Sequence, residues 1–283
     1  MRYAHGLVAL LLAAVSPAVS AQRVPLWEVG FGAAVIALPD YRGADEGHTY
    51  ILPVPYVVYN GDLVQVDRRG VRGDLFHSDR VQLDLSLNLG PPAKSGENAA
   101  RMGMPDLDPT FEFGPALDVR LWENAARNEV LAFRLPARAV VATDFSHFDH
   151  IGWVFAPHLN MDFLNLGPGG GWNLGLSAGP VYATTAYHAY YYAVRPEFAT
   201  PTRPVYEARG GYSGLRATIS LSKRFQRFWV GSFARYDDLH DVAFEDSPLV
   251  RRRHSFMAGV GISWIFVRSA EVVERKELRS DPR

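Results

Sequence analysis

Along most of this chain, apolar residues return at every second position. The clearest run is Val81, Leu83, Leu85, Leu87 and Leu89, interleaved with Gln82, Asp84, Ser86 and Asn88. A period of two is the signature of a strand with one apolar face. The same pattern recurs in Trp27–Val35, Phe111–Leu121, Leu131–Val141, Ile151–Phe163, Trp172–Ala178, Leu215–Leu221 and Phe228–Tyr236. It closes with Phe256, Ala258, Val260, Ile262, Trp264 and Phe266, set against Met257, Gly259, Gly261, Ser263 and Ile265.

Alternation alone fits a soluble sandwich as well as a membrane barrel. Three features favour the barrel. The runs are about 10–13 residues long, beyond the 5–6 usual in soluble sheets and enough for a tilted membrane strand. Their polar face carries Asp84, Glu112, Asp118, Arg120, Arg134, Arg138, Asp162 and Arg216, which a barrel turns toward its lumen. Trp27, Trp122, Trp153, Trp172, Trp229 and Trp264 stand at or near strand ends, where aromatic girdles meet membrane interfaces.

Connection lengths support this. Reading back from 256–266, long links alternate with short ones, as expected for long outer loops and short periplasmic turns. Splitting 62–76 at Asp67-Arg68-Arg69-Gly70 makes Asn60-Gly61 an inner hairpin turn and 38–49 an outer loop. The fold class is therefore all-β, a transmembrane antiparallel up-and-down β-barrel of about twelve strands. Ten is the alternative if 62–76 lies partly outside the wall. Pro53, Pro55, Pro115, Pro136, Pro157 and Pro180 fall inside strands, where a missing N–H calls for bulges or rim positions.

Composition narrows the setting. Residues 1–21 have a short polar start, the apolar run Gly6–Val15 and the small-residue end Val19-Ser20-Ala21, the form of a secretory signal peptide. The division is then 1–21 signal peptide, 22–266 barrel and 267–283 charged periplasmic tail, either a short helix or disordered. Both chain ends are expected in the periplasm of a Gram-negative bacterium. With no cysteine, disulfides and thiolate metal sites are excluded. A net charge of -1 argues against nucleic acid as a partner.

Four segments carry a family resemblance: PDYRGADEGHTYILPVPYVVY (39–59), ENAARMGMPDLDPTFEFGPAL (97–117), YYYAVRPEFATPTRPVYEARGGYSGLRATISLSKRF (190–225) and ARYDDLHDVAFEDSPLV (234–250). In this order they resemble the MipA/OmpV family of outer-membrane proteins, the MltA-interacting scaffolds. The resemblance implies a monomeric barrel without catalytic residues or cofactors. It also implies a scaffold that brings a lytic transglycosylase to a bifunctional murein synthase, or a surface adhesin; a narrow solute- or antibiotic-permeable channel is the competing reading of the barrel itself. Family chains usually end on the terminal aromatic; here a tail follows.

Several groups are candidates for chemistry or contact. Asp144-Phe145-Ser146-His147-Phe148-Asp149-His150 gathers Ser, His and Asp in an outer loop, either a hydrolase site, a weak metal site or a self-bonded turn. Arg251, Arg252 and Arg253 at the outer rim suit lipopolysaccharide phosphates. Tyr187, Tyr190, Tyr191 and Tyr192, with His188, form either an aromatic binding surface or packing over the barrel mouth. The aromatic-ended strand carrying Phe256, Val260, Ile262, Trp264 and Phe266 resembles the signal read by barrel-assembly machinery, and the same face meets outer-membrane lipid. Luminal charges of both signs either line a pore or neutralise one another across a plugged interior.

Overall fold

The computed structural model describes residues 23–60, 64–67, 70–73 and 80–274. The expected signal peptide, the Asn60-Gly61 turn beyond Asn60 and the end of the tail lie outside the described residues. A short strand, β1 (Arg23–Pro25), precedes β2 (Trp27–Pro39), β3 (Gly47–Asn60), β4 (Val64–Asp67), β5 (Gly70–Gly73) and β6 (Val81–Gly90). There follow β7 (Thr110–Glu123), β8 (Glu129–Thr143), β9 (Phe148–Phe155), β10 (His158–Leu166) and β11 (Trp172–Ala183). A helix, α1 (Thr185–Tyr192), then leads to β12 (Gly211–Arg224), β13 (Phe228–Asp238), β14 (His254–Arg268) and β15 (Val272–Glu274).

Neighbouring strands pair antiparallel in the order β5-β4-β3-β2-β14-β13-β12-β11-β10-β8-β7-β6, and β5 lies beside β6 to complete the ring. The last long strand closes on the first through Val260↔Val35, Ile262↔Ala33 and Trp264↔Phe31. β9 and β10 occupy one wall position, since both pair with β8 and β11. Counted that way, β2 to β14 fill twelve positions. The division at Asp67–Gly70 is real: β4 and β5 form a four-residue hairpin, Val64↔Gly73 to Asp67↔Gly70.

The two faces follow from the alternation. On β14, Phe256, Val260, Ile262, Trp264 and Phe266 are all at least half exposed on the outer face. Ser255, Ser263 and Ile265, one residue out of phase, are buried on the inner face. Lipid rewards an apolar exterior, and water or protein fills the lumen.

Three sequence expectations change. The run 151–163 is broken between Phe155 and His158 at Ala156-Pro157. The segment after Phe266 is neither helical nor disordered through Glu274. β14 continues to Arg268, and β15 pairs with β1 through Arg23↔Glu274, Val24↔Val273 and Pro25↔Val272. Trp229 departs from the girdle. It shares the inward phase of Arg235 and Asp237 and covers Gly231, where an added Cβ would stand 2.1 Å from the indole ring. Trp27, Trp122, Trp153 and Trp264 are outward and exposed.

The prolines have a common explanation. Pro115, Pro136, Pro157 and Pro180 lie on successive wall positions at one level. Ala116 pairs with Pro136, the Ala156 N–H donates to the Pro136 carbonyl, and Gly179 abuts the Pro157 carbonyl. The strand break at Pro157 and a register shift at Pro180 fall on this line. Pro53 and Pro55 pair with Ala33 and Phe31 on β2. Lacking an N–H, each must stand at a non-hydrogen-bonded position there, so its missing donor points to the opposite edge. On that edge β4 pairs only with Tyr59 and Asn60. Proline thus occupies the part of β3 where, among the described residues, an N–H would have no ladder partner.

Candidate functional site

At the long-loop end, segments 40–46, 91–109, 184–210 and 239–253 fold together over the barrel. Their core comprises Tyr41, Leu107, Tyr192, Val194, Leu239, Phe244 and Leu249, all buried. α1 descends from β11 against the inner wall. Tyr187, Tyr190 and Tyr191 pack on Val140, Ile151, Val154 and Val181 of β8, β9 and β11. The loop enters the helix through a close contact that requires glycine. Gly152 has φ +120°, and Thr184 Oγ1 accepts the Trp153 N–H at 3.0 Å beside it.

The cap is pinned by side chains reaching distant backbone. Tyr192 OH donates to the Arg42 carbonyl at 2.9 Å, and Ser247 Oγ donates to the Tyr192 carbonyl at 2.7 Å. Tyr41 OH donates to the Leu249 carbonyl at 2.9 Å. Arg101 reaches the carbonyls of Tyr191 and Pro105, and Arg203 those of Ala100, Met102 and Phe198. Each arginine thereby satisfies carbonyls that a loop otherwise leaves unpaired.

His188 is wholly buried in this cap. Its Nδ1 faces the Arg209 carbonyl at 2.6 Å and so carries the proton; Nε2, 3.1 Å from Ser213 Oγ, is the acceptor. Burial pushes its pKa below the usual histidine value, aided by the nearby Arg42. Burial also raises the Tyr187 and Tyr190 hydroxyls to about 12.

Below the cap, the lumen encloses a cavity of about 430 Å³ lined by polar side chains from β6 to β13. The charges of the lumen as a whole are largely paired. Arg138 Nε meets Glu112 at 2.8 Å, Arg134 meets Asp118 at 2.9 Å and Asp84 at 3.7 Å, and Arg224 meets Glu28 at 2.6 Å. Asp237 Oδ1 accepts a hydrogen bond from Arg216 Nε at 2.9 Å and forms an ion pair with Arg42 Nε at 3.1 Å. Most of the luminal charges named in the sequence are thus ion-paired beneath the packed cap. Arg42, Arg235 and Asp237 were not among the charges singled out in the sequence. The inward phase of 228–236 places Arg235 there, but Arg42 sits in a loop with no periodic cue.

Residues 31–266 match the family described as MltA-interacting protein MipA. The chain belongs to this family. Among curated proteins none matches it. Solved structures similar to it include a bacterial polysaccharide outer-membrane secretin, at 8% identity and TM-score 0.42, covering 85% of this chain and 99% of that one. An outer-membrane channel from Pseudomonas putida F1 has 13% identity and TM-score 0.38, covering 89% and 100%. At these TM-scores the likenesses carry no argument of their own. Family and fold together make the chain an outer-membrane β-barrel protein.

In this MltA-interacting family member, the candidate groups of the sequence are dispersed. Asp144–His150 forms a self-bonded turn. Asp144 Oδ1 accepts the N–H groups of Ser146 and His147 and the Ser146 hydroxyl, which lies 2.9 Å from His147 Nδ1. These bonds hold the Asp144 carboxyl down at about 2, the Ser146 hydroxyl being the largest cause. A nucleophile relay needs the acid and the hydroxyl on opposite ring nitrogens. Here Asp144 also lies nearest Nδ1, at 3.8 Å. Among the described residues no group of metal-ligating side chains is assembled. Tyr187, Tyr190, Tyr191 and Tyr192 are turned inward over the mouth, the packing alternative, and Tyr192 is 2% exposed. Arg251, Arg252 and Arg253 stand exposed at the rim, with Arg251 3.7 Å from Asp45 and Arg253 2.9 Å from Glu245.

Proposed function

We propose that this outer-membrane barrel is a non-enzymatic scaffold rather than a conduit. In this reading the long-loop end faces outward and the short-turn end, with both chain ends, faces the periplasm. There it holds a lytic transglycosylase beside a bifunctional murein synthase. The observation that carries the reading is the packed cap, with Tyr192, Phe244, Leu239 and Leu249 buried at the mouth. A barrel built for free passage has no use for so well satisfied a plug.

The periplasmic contact falls to the β1–β15 ribbon. It is tied to the barrel by the Leu26 N–H to the Glu271 carbonyl and by the Ser269 N–H to the Trp27 carbonyl, both 2.9 Å. At the outer rim Arg251, Arg252 and Arg253 contact lipopolysaccharide phosphates, and the outward face of β14 serves as the assembly signal. Crosslinking in intact cells followed by purification tests the scaffold. Capture of both murein enzymes by the full chain, lost on truncation after Phe266, is expected. A correctly assembled barrel that captures neither refutes it. The enclosed charged cavity favours a second reading, a narrow channel, which bilayer conductance distinguishes.

A further inference from the structure

Beneath the cap, three guanidinium groups share one carboxylate. Asp237 accepts a hydrogen bond from Arg216 Nε and forms an ion pair with Arg42. Arg235 lies within electrostatic range of Asp237, Arg216, Arg42 and Glu112. The terminal nitrogens of Arg42 are already committed to Ser213 Oγ and its carbonyl. Glu112, the next carboxylate, is bonded to Arg138. Arg120, Arg134, Arg138 and Arg216, which also line the cavity, each have a carboxylate partner. Arg235 has none. Its Nε is shut off from solvent and makes no hydrogen bond; the same holds for Arg42, Arg120 and Arg134, but each of those has a carboxylate in ion-pair range.

Arg235 is partly buried, and an unpaired charge there gives up hydration that no carboxylate replaces. A cluster of Arg42, Arg216 and Arg235 against Asp237 carries two uncompensated positive charges. The cavity that Arg235 lines offers more than enough room for a small ligand. Thr218, directly opposite Arg235 on β12, and Ser220 two residues along add hydroxyl donors on the same inward face. Guanidinium and hydroxyl donors together match a planar or tetrahedral oxyanion.

We propose that the lumen holds a binding site for a small soluble oxyanion of the carboxylate or phosphate class, centred on Arg235 and flanked by Arg216 and Thr218. The anion supplies the counter-charge that the protein omits. This site is independent of the scaffold reading, because it lies inside the barrel and away from the β1–β15 ribbon.

The test uses the full-length mature barrel in detergent, titrated calorimetrically with inorganic phosphate and separately with citrate at fixed ionic strength, against chloride. Saturable binding of one oxyanion per chain is expected. Arg235→Gln weakens it roughly 10- to 100-fold, the loss of a charge-assisted hydrogen-bonded contact. Arg235→Lys falls between, and Arg127→Gln, in the exposed turn between β7 and β8 and outside the cavity lining, binds as wild type. Thermal unfolding provides a readout that a purely structural arginine would not give. Without oxyanion, Arg235→Gln melts at or above the wild type, and phosphate raises the wild-type melting temperature but not that of the variant. Absence of saturable binding to the folded wild type overturns the proposal. So does an Arg235→Gln variant that binds as tightly as wild type, or one that melts lower in the absence of anion.

Discussion

Tyr192 stacks flat on Phe244, with ring centroids 3.7 Å apart and planes 6° from parallel. One ring comes from α1 and the other from the loop between β13 and β14, and both are buried. This contact joins the cap. Tyr192→Ala leaves a cavity there and is expected to cost about 3–5 kcal/mol of cap stability. Limited proteolysis checks it: cleavage within 184–210 and 239–253 accelerates, while the barrel keeps its heat-modifiable migration.

His188 makes the cap sensitive to acid. Its folded pKa is depressed, so the unfolded cap binds the proton more readily than the folded one. Stability is therefore intact above the unfolded histidine value of about 6.5 and falls as pH drops below it. Protonation adds a donor at Nε2 opposite Ser213 Oγ, which already accepts from Arg42. Hydrogen exchange of α1 amides at pH 7.5 and pH 5 measures this. Once rates are corrected for the intrinsic pH dependence of amide exchange, lower protection at pH 5 is expected in wild type, and His188→Gln removes the difference.

The Arg138–Glu112 pair is buried on both sides. Glu112→Leu strands the guanidinium and is expected to destabilise the barrel by about 3–5 kcal/mol. Glu112→Leu with Arg138→Met removes both charges and recovers most of the loss. Denaturant unfolding of the two variants against wild type is the measurement.

Pro53 and Pro55 make a more unusual prediction. Substituting proline inside a ladder normally restores a hydrogen bond. Here Pro53→Val adds a donor on an edge without a described partner, at membrane depth, and is expected to cost about 1–3 kcal/mol. A variant that melts above wild type would show that this edge is paired.

The wall was legible in the sequence because lipid imposes the same rule on every strand. The period of two in Val81–Leu89 and Phe256–Phe266 sets inside and outside, and alternating link lengths set the strand order. The closing pair β14–β2 and the division at Asp67–Gly70 followed from these. The cap was not legible. Its contacts join residues such as Tyr41 and Leu249, 208 positions apart, with no periodicity to mark them. Trp229 misled because its place at a strand end suggested a girdle, while its phase with Arg235 and Asp237 pointed inward. The proline line had a signal in retrospect. Pro115, Pro136, Pro157 and Pro180 recur at nearly even spacing, and antiparallel neighbours fold such positions to one level.

A mouth closed by the cap passes no ions, and current through a planar bilayer measures that directly. Purified wild-type barrel, inserted and verified as folded, is expected to give no stepwise conductance, whereas removal of 184–210 together with 239–253 gives open steps. Stable steps from the wild type, unchanged when those loops are removed, would contradict closure by the cap.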